Sequence, residues 1–293
     1  MTASTRIARV LLACHIAALA FGLGGLLIAL PHPELWADSE LGRKTFDFGM
    51  EYAESLHIVF GALAMFAFGT AILGLGRTAI FFVASVGLSL GSELIGTGTG
   101  WPFGNYEYTS FLGYKVLGRV PFTIPLSWFY MGLASYLLGH LIAAGRGLRP
   151  HRAWALGLGV WFLIVWDLVL DPAMAHASMQ VKFWEWNETG PYFGMPIQNY
   201  VGWAATGLAF MALSRALWRR DPDPARTPAW FPLVVYAANT AFAMALSASV
   251  DLWTPILLSA LLGLAPALLA WKPGTPGPTQ PGGRRQWRLA TNR

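Results

Sequence analysis

Long apolar segments recur along this chain, and short polar segments separate them. A helix needs about 20 apolar residues to cross a bilayer. Segments of that kind lie at residues 8–30, 52–75, 78–95, 122–144, 153–170, 197–217, 228–247 and 252–271. Because lipid offers the backbone no hydrogen-bond partners, such segments fold as helices. The sequence therefore predicts an all-α, polytopic transmembrane helical bundle of about eight spans.

The composition leaves little room for a separate soluble domain, since 55% of the residues are hydrophobic and only 12% are charged. We therefore expect residues 1–272 to form a transmembrane helical catalytic domain. Residues 273–293, rich in Pro, Gly and Arg, predict a disordered basic cytoplasmic tail. The net charge of +5 does not indicate a nucleic acid partner, because the basic residues form short clusters between apolar segments.

The basic residues also predict the topology. With the N-terminus inside, 15 of the 20 Lys and Arg fall on the inner side of the membrane. This bias predicts that both termini are cytoplasmic, in a multi-pass protein of the cytoplasmic membrane. The acids are distributed in the opposite way, with 13 of 15 on the outer side. Their position indicates an acidic site near the outer face.

Asp167 and Asp171 are the first candidate catalytic residues. Their spacing of four places both carboxyl groups on one helical face, and Pro172 predicts the end of that helix. Mutual repulsion, the helix dipole and desolvation all favour a carboxylic acid that keeps its proton near neutral pH. Acids inside a membrane segment are candidates for function, although two interfacial acids at a solvated helix end would look the same.

Glu93 and His57 are further candidates. Glu93 is expected near the outer C-terminal end of the third span, where the dipole again disfavours a negative charge. Glu51, Glu54 and His57 are expected at the outer start of the second span, where helix capping explains the two acids. His57 is either a residue that orients a proton-transfer group or an ordinary interfacial histidine.

Two loops combine Gly and Pro turn formers with aromatic rings and acids, at residues 96–109 and 183–200. We expect them to fold into the mouth of the bundle, although aromatic residues are common at any membrane interface. The histidines include no pair spaced three to five residues apart, and no dinucleotide-binding Gly-rich unit is present. The sequence therefore predicts a cofactor-independent acid–base reaction without a metal.

Residues 96–109, 120–128, 170–174 and 183–203 resemble the carotenoid-biosynthesis membrane family that contains carotenoid 1,2-hydratases. Those enzymes act on γ-carotene-like and bacterioruberin-precursor substrates. The resemblance implies a lyase that adds water across the terminal C1′=C2′ double bond of a carotenoid such as lycopene or γ-carotene. It also implies a bilayer environment, with other enzymes of the pathway as candidate partners.

The candidate residues suit that reaction. Asp171 or Asp167 would be the acid, Glu93 or the other aspartate the base, and His57 an auxiliary catalytic residue. Aromatic and polar groups would bind the substrate and surround a tertiary cation, and the candidates are Trp101, Tyr106, Trp128, Trp184, Glu185, Trp186, Tyr192 and Asn199.

Three alternatives stay open. A carotenoid cyclase or isomerase would use the same cation without capturing water. An intramembrane prenyltransferase would use Asp167 and Asp171 as a magnesium motif, although a second acidic motif is missing. A transporter or lipid-binding protein would use the outer acids for proton coupling, although no internal repeat is evident.

Overall fold

The computed structural model describes residues 3–271, which form a bundle of long helices. The predicted tail at residues 273–293 lies outside the described residues. In chain order the helices are α1 (Ala3–Gly24), α2 (Glu40–Leu73), α3 (Leu75–Thr99), α4 (Thr123–Gly145), α5 (His151–Ala175), α6 (Ile197–Leu217), α7 (Trp230–Ala248) and α8 (Trp253–Ser259). A π-helical turn at Gly25–Ala29 extends α1, and irregular helical turns extend α8 to Ala270.

Seven of the helices within residues 3–271 are long and apolar enough to cross a membrane, when α1 and α8 are counted with their extensions. The remaining helix, α6, is 21 residues long but carries buried polar side chains such as Asn199 and Arg215. The prediction of an all-α bundle of membrane helices is confirmed. The count of eight spans and the cytoplasmic location of both termini stay predictions.

Helix α4 lies at the centre of the bundle and packs against α2, α3, α5 and α7. Small residues let the central helices approach closely. A Cβ atom on Gly139 would lie 2.7 Å from the backbone nitrogen of Gly159 and 2.8 Å from the carbonyl oxygen of Ala155. Gly139 therefore allows α4 and α5 to pack backbone against backbone.

Helix α2 starts much earlier than its apolar segment. Ser39 is the N-cap, and its side chain accepts a hydrogen bond from the backbone N–H of Gly42 at 3.3 Å. Residues 40–51 include five charged side chains, yet they form helix. The expectation that Glu51 and Glu54 cap this helix is therefore wrong, because both lie well inside it.

Helix α5 does not end at Pro172, as the sequence predicted, but continues to Ala175. A proline inside a helix cannot donate to the carbonyl group four residues earlier, which here is that of Leu168. The hydroxyl group of Tyr192 donates to that carbonyl oxygen at 3.0 Å. A side chain from a distant loop thus satisfies the group that the proline leaves free.

The two aromatic loops pair with each other and cover one end of the bundle. The four short strands are β1 (Tyr106–Tyr108), β2 (Lys115–Val116), β3 (Val120–Pro121) and β4 (Trp184–Trp186). Strand β1 pairs antiparallel with β4, while β2 pairs with β3. We call residues 100–122 and 176–196 the cap.

Candidate active site

A cavity lies beneath the cap. Helices α2 to α7 and both cap segments contribute to its wall. Eight of the side chains selected from the sequence line it, namely His57, Glu93, Tyr106, Trp128, Trp184, Trp186, Asn199 and Asp171. The fold therefore gathers candidates that are spread over more than 140 residues of sequence.

Glu93 of α3 accepts hydrogen bonds from three side chains. The Tyr106 hydroxyl donates to Oε2, as does the Tyr108 hydroxyl at 2.8 Å. The indole N–H of Trp128 donates to Oε1 at 3.0 Å. Three donors of this kind suit a carboxylate that accepts hydrogen bonds.

Two of those donors, Tyr106 and Tyr108, lie on strand β1. Alternation along the strand points Tyr106 and Tyr108 into the protein, while Glu107 between them faces outward. The pKa of both tyrosines lies well above the usual value for tyrosine. Burial is the main cause, and the nearby charge of Glu93 is the second. Each phenol group therefore keeps its proton and stays a donor to Glu93.

Asp167 and Asp171 are joined by one amide group. Nδ2 of Asn199 donates to Oδ2 of Asp167 at 2.9 Å and to Oδ2 of Asp171. Nε1 of Trp184 donates to Oδ1 of Asp171 at 2.9 Å. Both carboxyl groups are buried, and only Asp171 of the two lines the cavity. Asp171 is thus the member of the pair that can meet a substrate.

Aromatic rings form much of the remaining wall. Trp128 stacks on Trp203 with ring centroids 3.9 Å apart, and Trp166 meets Trp203 edge to face at 5.8 Å. Among the lining residues, all within the described part of the chain, there is no lysine or arginine. The cavity therefore combines aromatic faces with carboxyl groups that no cation neutralises.

A second polar cluster borders the same cavity, and we call it the α2 cluster (His15, Glu54, His57, Tyr130 and Asn239). The His15 ring donates from Nδ1 to the carbonyl oxygen of His57 at 2.7 Å. Its Nε2 therefore carries the lone pair that accepts from Asn239 Nδ2 at 2.9 Å. Tyr130 in turn donates to Asn239 Oδ1 at 2.7 Å. His57 Nδ1 lies 3.4 Å from Glu54 Oε2.

Four of the sequence-selected residues do not line the cavity. Asp167 lies behind Asp171, and Tyr192 supports the carbonyl group of Leu168. Glu185 lies on the outward face of β4, where its Oε1 is 3.5 Å from Lys182 Nζ. Trp101 is 66% exposed. These positions fit supporting or surface roles better than contact with a substrate.

Sequence reasoning missed most of the α2 cluster. His15, Tyr130 and Asn239 come from three separate helices, so their proximity has no signature in local spacing. The available signal was a polar residue inside an apolar segment, which His15 and Asn239 both give. The search for neighbouring histidines along the sequence could not find His15 and His57, whose rings meet across two helices.

Residues 53–266 match the model of a family described as carotenoid biosynthesis protein. The chain belongs to this family. The resemblance found in the sequence is therefore confirmed. Glu54, Glu93 and Asp171 all fall within the matched part of this carotenoid biosynthesis protein, whereas His15 precedes it.

The bisanhydrobacterioruberin hydratase of Haloarcula japonica is 37% identical to this carotenoid biosynthesis protein over 131 residues. The alignment covers 45% of the chain and 42% of that relative, so the chain spans less than half of the relative's length. No solved structure matches the chain.

Proposed function

We propose that the chain is a carotenoid 1,2-hydratase that adds water across the terminal C1′=C2′ double bond of an acyclic carotenoid end. The observation that carries the proposal is the capped cavity, whose lining within residues 3–271 combines Asp171, Glu93 and aromatic rings and contains no lysine or arginine. Family membership and the similarity to a protein named as a hydratase support the same chemistry. Lycopene and γ-carotene are the substrates we would test first.

The first step needs a proton donor, and we assign that role to Asp171. Two neighbouring buried carboxyl groups cannot easily both carry charge, so the Asp167–Asp171 pair holds a proton. Asp171 delivers that proton to C2′, because it is the member of the pair that lines the cavity. Asp167 and Asn199 position Asp171 through their shared hydrogen bonds.

Protonation of C2′ leaves a tertiary cation at C1′. The faces of Trp128 and Trp203 would stabilise this cation by cation–π attraction, which contributes about 2 kcal/mol where the site is desolvated. Glu93, which three donors hold in position, would in its ionised form add an opposite charge next to this cation. No cofactor enters this step.

Water then attacks C1′, and its oxygen forms the new C–O bond. The proton that this water loses passes to a carboxylate, for which Glu93 is our choice. The carboxyl groups together gain one proton and lose one, so they return to their starting state by proton exchange. The substrate gains one molecule of water, and no oxidant or reductant is consumed.

The location suits a reaction between a lipid-soluble substrate and water. We propose that residues 1–272 form the catalytic bundle, with both termini on the cytoplasmic side of the cytoplasmic membrane and the cap on the outer side. A carotenoid would stay in the bilayer while its end reaches the capped cavity. Other enzymes of the same pathway are candidate partners.

Expression in cells that accumulate lycopene or γ-carotene tests the function. We expect a pigment heavier by one water per reacting end, measured by mass spectrometry of extracted carotenoids. Vector-only cells and cells that make the Asp171→Asn variant are the controls. A product with the same mass as its substrate would instead identify a cyclase or isomerase, and unchanged pigment would contradict the proposal.

A further inference from the structure

A second, larger space lies beside the capped cavity, between α1 and α2. We call it the α1–α2 cleft. Small residues on α1 keep it open. A Cβ atom added to Gly24 or Gly25 would meet nothing within 4 Å.

The lining of the α1–α2 cleft is almost entirely apolar. Among the described residues that line it, three carry a hydroxyl group or a charge, namely Ser39, Thr45 and Glu54. Trp36 forms part of the wall and is fixed there, because it stacks on Phe46 at 3.9 Å and donates its indole N–H to the carbonyl oxygen of Ala29 at 2.7 Å. A space of this kind suits a hydrocarbon rather than a polar ligand.

The cleft lies directly beside the capped cavity. The cap contributes two pairs of consecutive residues that face opposite sides. Phe111 and Phe183 line the cleft, while their neighbours Leu112 and Trp184 line the cavity. Glu54 borders both spaces, so the two meet at its carboxyl group.

Glu54 is an independent sign that this junction receives a ligand. Its side chain is only 8% exposed. Neither carboxylate oxygen has a hydrogen-bond partner among residues 3–271, and His57 Nδ1 at 3.4 Å is not placed to donate one. A buried polar group without a partner is costly, which favours a ligand or water that supplies the missing donor.

Given the proposed hydratase function, we infer that the α1–α2 cleft binds the extended polyene chain of the carotenoid and leads its end group past Glu54 into the capped cavity. A conjugated chain is straight and stiff, so it needs a long, narrow site. From Ser39 to Glu54 the cleft follows α2 for about 22 Å, at about 1.5 Å per residue. The cleft thereby selects substrates that carry a long apolar chain behind the reacting end.

The test fills the cleft and compares two substrates. Gly25→Leu and Gly24→Leu each place a side chain in open space inside the cleft without changing a cavity residue. We expect each variant to lower kcat/KM for the full-length carotenoid by about tenfold or more, as blocked apolar contacts do. A truncated isoprenoid hydrocarbon with the same acyclic end should react at the wild-type rate, which also shows that the variant is folded.

Gly87→Leu is the matched control, because Gly87 is an exposed residue of α3 with nothing within 4 Å of the added Cβ atom. This variant should hydrate both substrates like the wild type. Full-length carotenoid that copurifies with the protein, measured by absorbance, should fall for the cleft variants and stay constant for the control.

The outcomes separate the two proposals. A wild-type protein that hydrates neither substrate overturns the hydratase function itself. Cleft variants that hydrate the full-length carotenoid at the wild-type rate overturn the chain-binding site. The cleft would then be a site that membrane lipid occupies. Equal losses for the long and the truncated substrate also overturn it, because the effect would then not depend on the chain.

Discussion

The acidic side chains at the two ends of α5 have different kinds of partner. At its start, Arg152 pairs with Asp221 at 3.3 Å, and the same aspartate forms an ion pair with Arg215. Near its other end, Asp171 accepts hydrogen bonds from an indole and an amide group and has no cationic partner among residues 3–271. The two positions are nineteen residues apart, or about 28 Å along the helix.

This difference indicates which end suits an acid–base reaction. An arginine partner holds a carboxylate ionised and leaves it little freedom to exchange a proton. Neutral donors such as Trp184 and Asn199 orient a carboxyl group without fixing its charge. The ion pairs at the arginine end therefore suit a role in the stability of the fold, while the capped end suits proton transfer.

Replacement of the proposed acid should have the largest effect. Asp171→Asn keeps the shape of the side chain but removes the proton that C2′ requires, so we expect hydration to fall by about a thousandfold. The rate of hydrated carotenoid formation in isolated membranes, normalised to protein amount, measures it. Residual activity within tenfold of the wild type would remove Asp171 from the role of acid.

Glu93→Gln should have the next largest effect. The amide keeps the length of the side chain but carries no negative charge, so the cation at C1′ loses the stabilising charge that Glu93 would supply. We expect kcat to fall by about a hundredfold, with substrate still bound. A separate measurement of copurified carotenoid distinguishes lost catalysis from lost binding. A change confined to KM would contradict a role in the reaction itself.

Trp184→Phe should have a smaller effect. The ring is kept in the cavity wall, but the hydrogen bond from its N–H to Asp171 is lost. We expect about a tenfold lower kcat, which corresponds to about 1.4 kcal/mol in the barrier. Trp101→Phe is the matched control, since Trp101 is largely exposed and does not line the cavity. Equal losses in both variants would indicate a general effect on folding.

Asp221→Asn, at the opposite end of α5, should leave hydration unchanged. It removes the ion pairs with Arg152 and Arg215 and should lower the free energy of unfolding by about 1 kcal/mol. The Tm in detergent and the hydration rate in membranes check the two halves of this prediction. A loss of hydration as large as that of Asp171→Asn would end the distinction between the two ends.

The sequence predicted the helices well where a long apolar run marks them. It predicted them poorly where polar residues extend a helix or compensate for a proline. Apolar runs located each membrane helix, but residues 40–51 gave no sign of extending α2 because they are polar. Pro172 predicted the end of a helix that in fact continues. The hydroxyl group of Tyr192, twenty residues later, compensates for the proline, and no local pattern reports such a contact.

The sequence predicted which types of residue form the capped site but not how those residues are arranged. The motifs around Asp171, Glu93 and the aromatic loops predicted an acidic, aromatic site. The pairing of β1 with β4, which turns Tyr106 inward and Glu185 outward, depends on register between distant segments. The α2 cluster was also not predictable, because its contacts join residues of different helices. Glu54 in particular resembled a helix-capping residue, since the sequence did not indicate where α2 starts.

Hydration in heavy water tests the central claim most directly. Membranes that contain the wild type, Asp171→Asn or Asp221→Asn would be supplied with lycopene in D2O, and the product analysed by mass spectrometry and NMR. The account predicts one deuterium at C2′ and a hydroxyl group at C1′ for the wild type and Asp221→Asn, with almost no product for Asp171→Asn. A product without the hydroxyl group, or equal deuteration by Asp171→Asn, would contradict it.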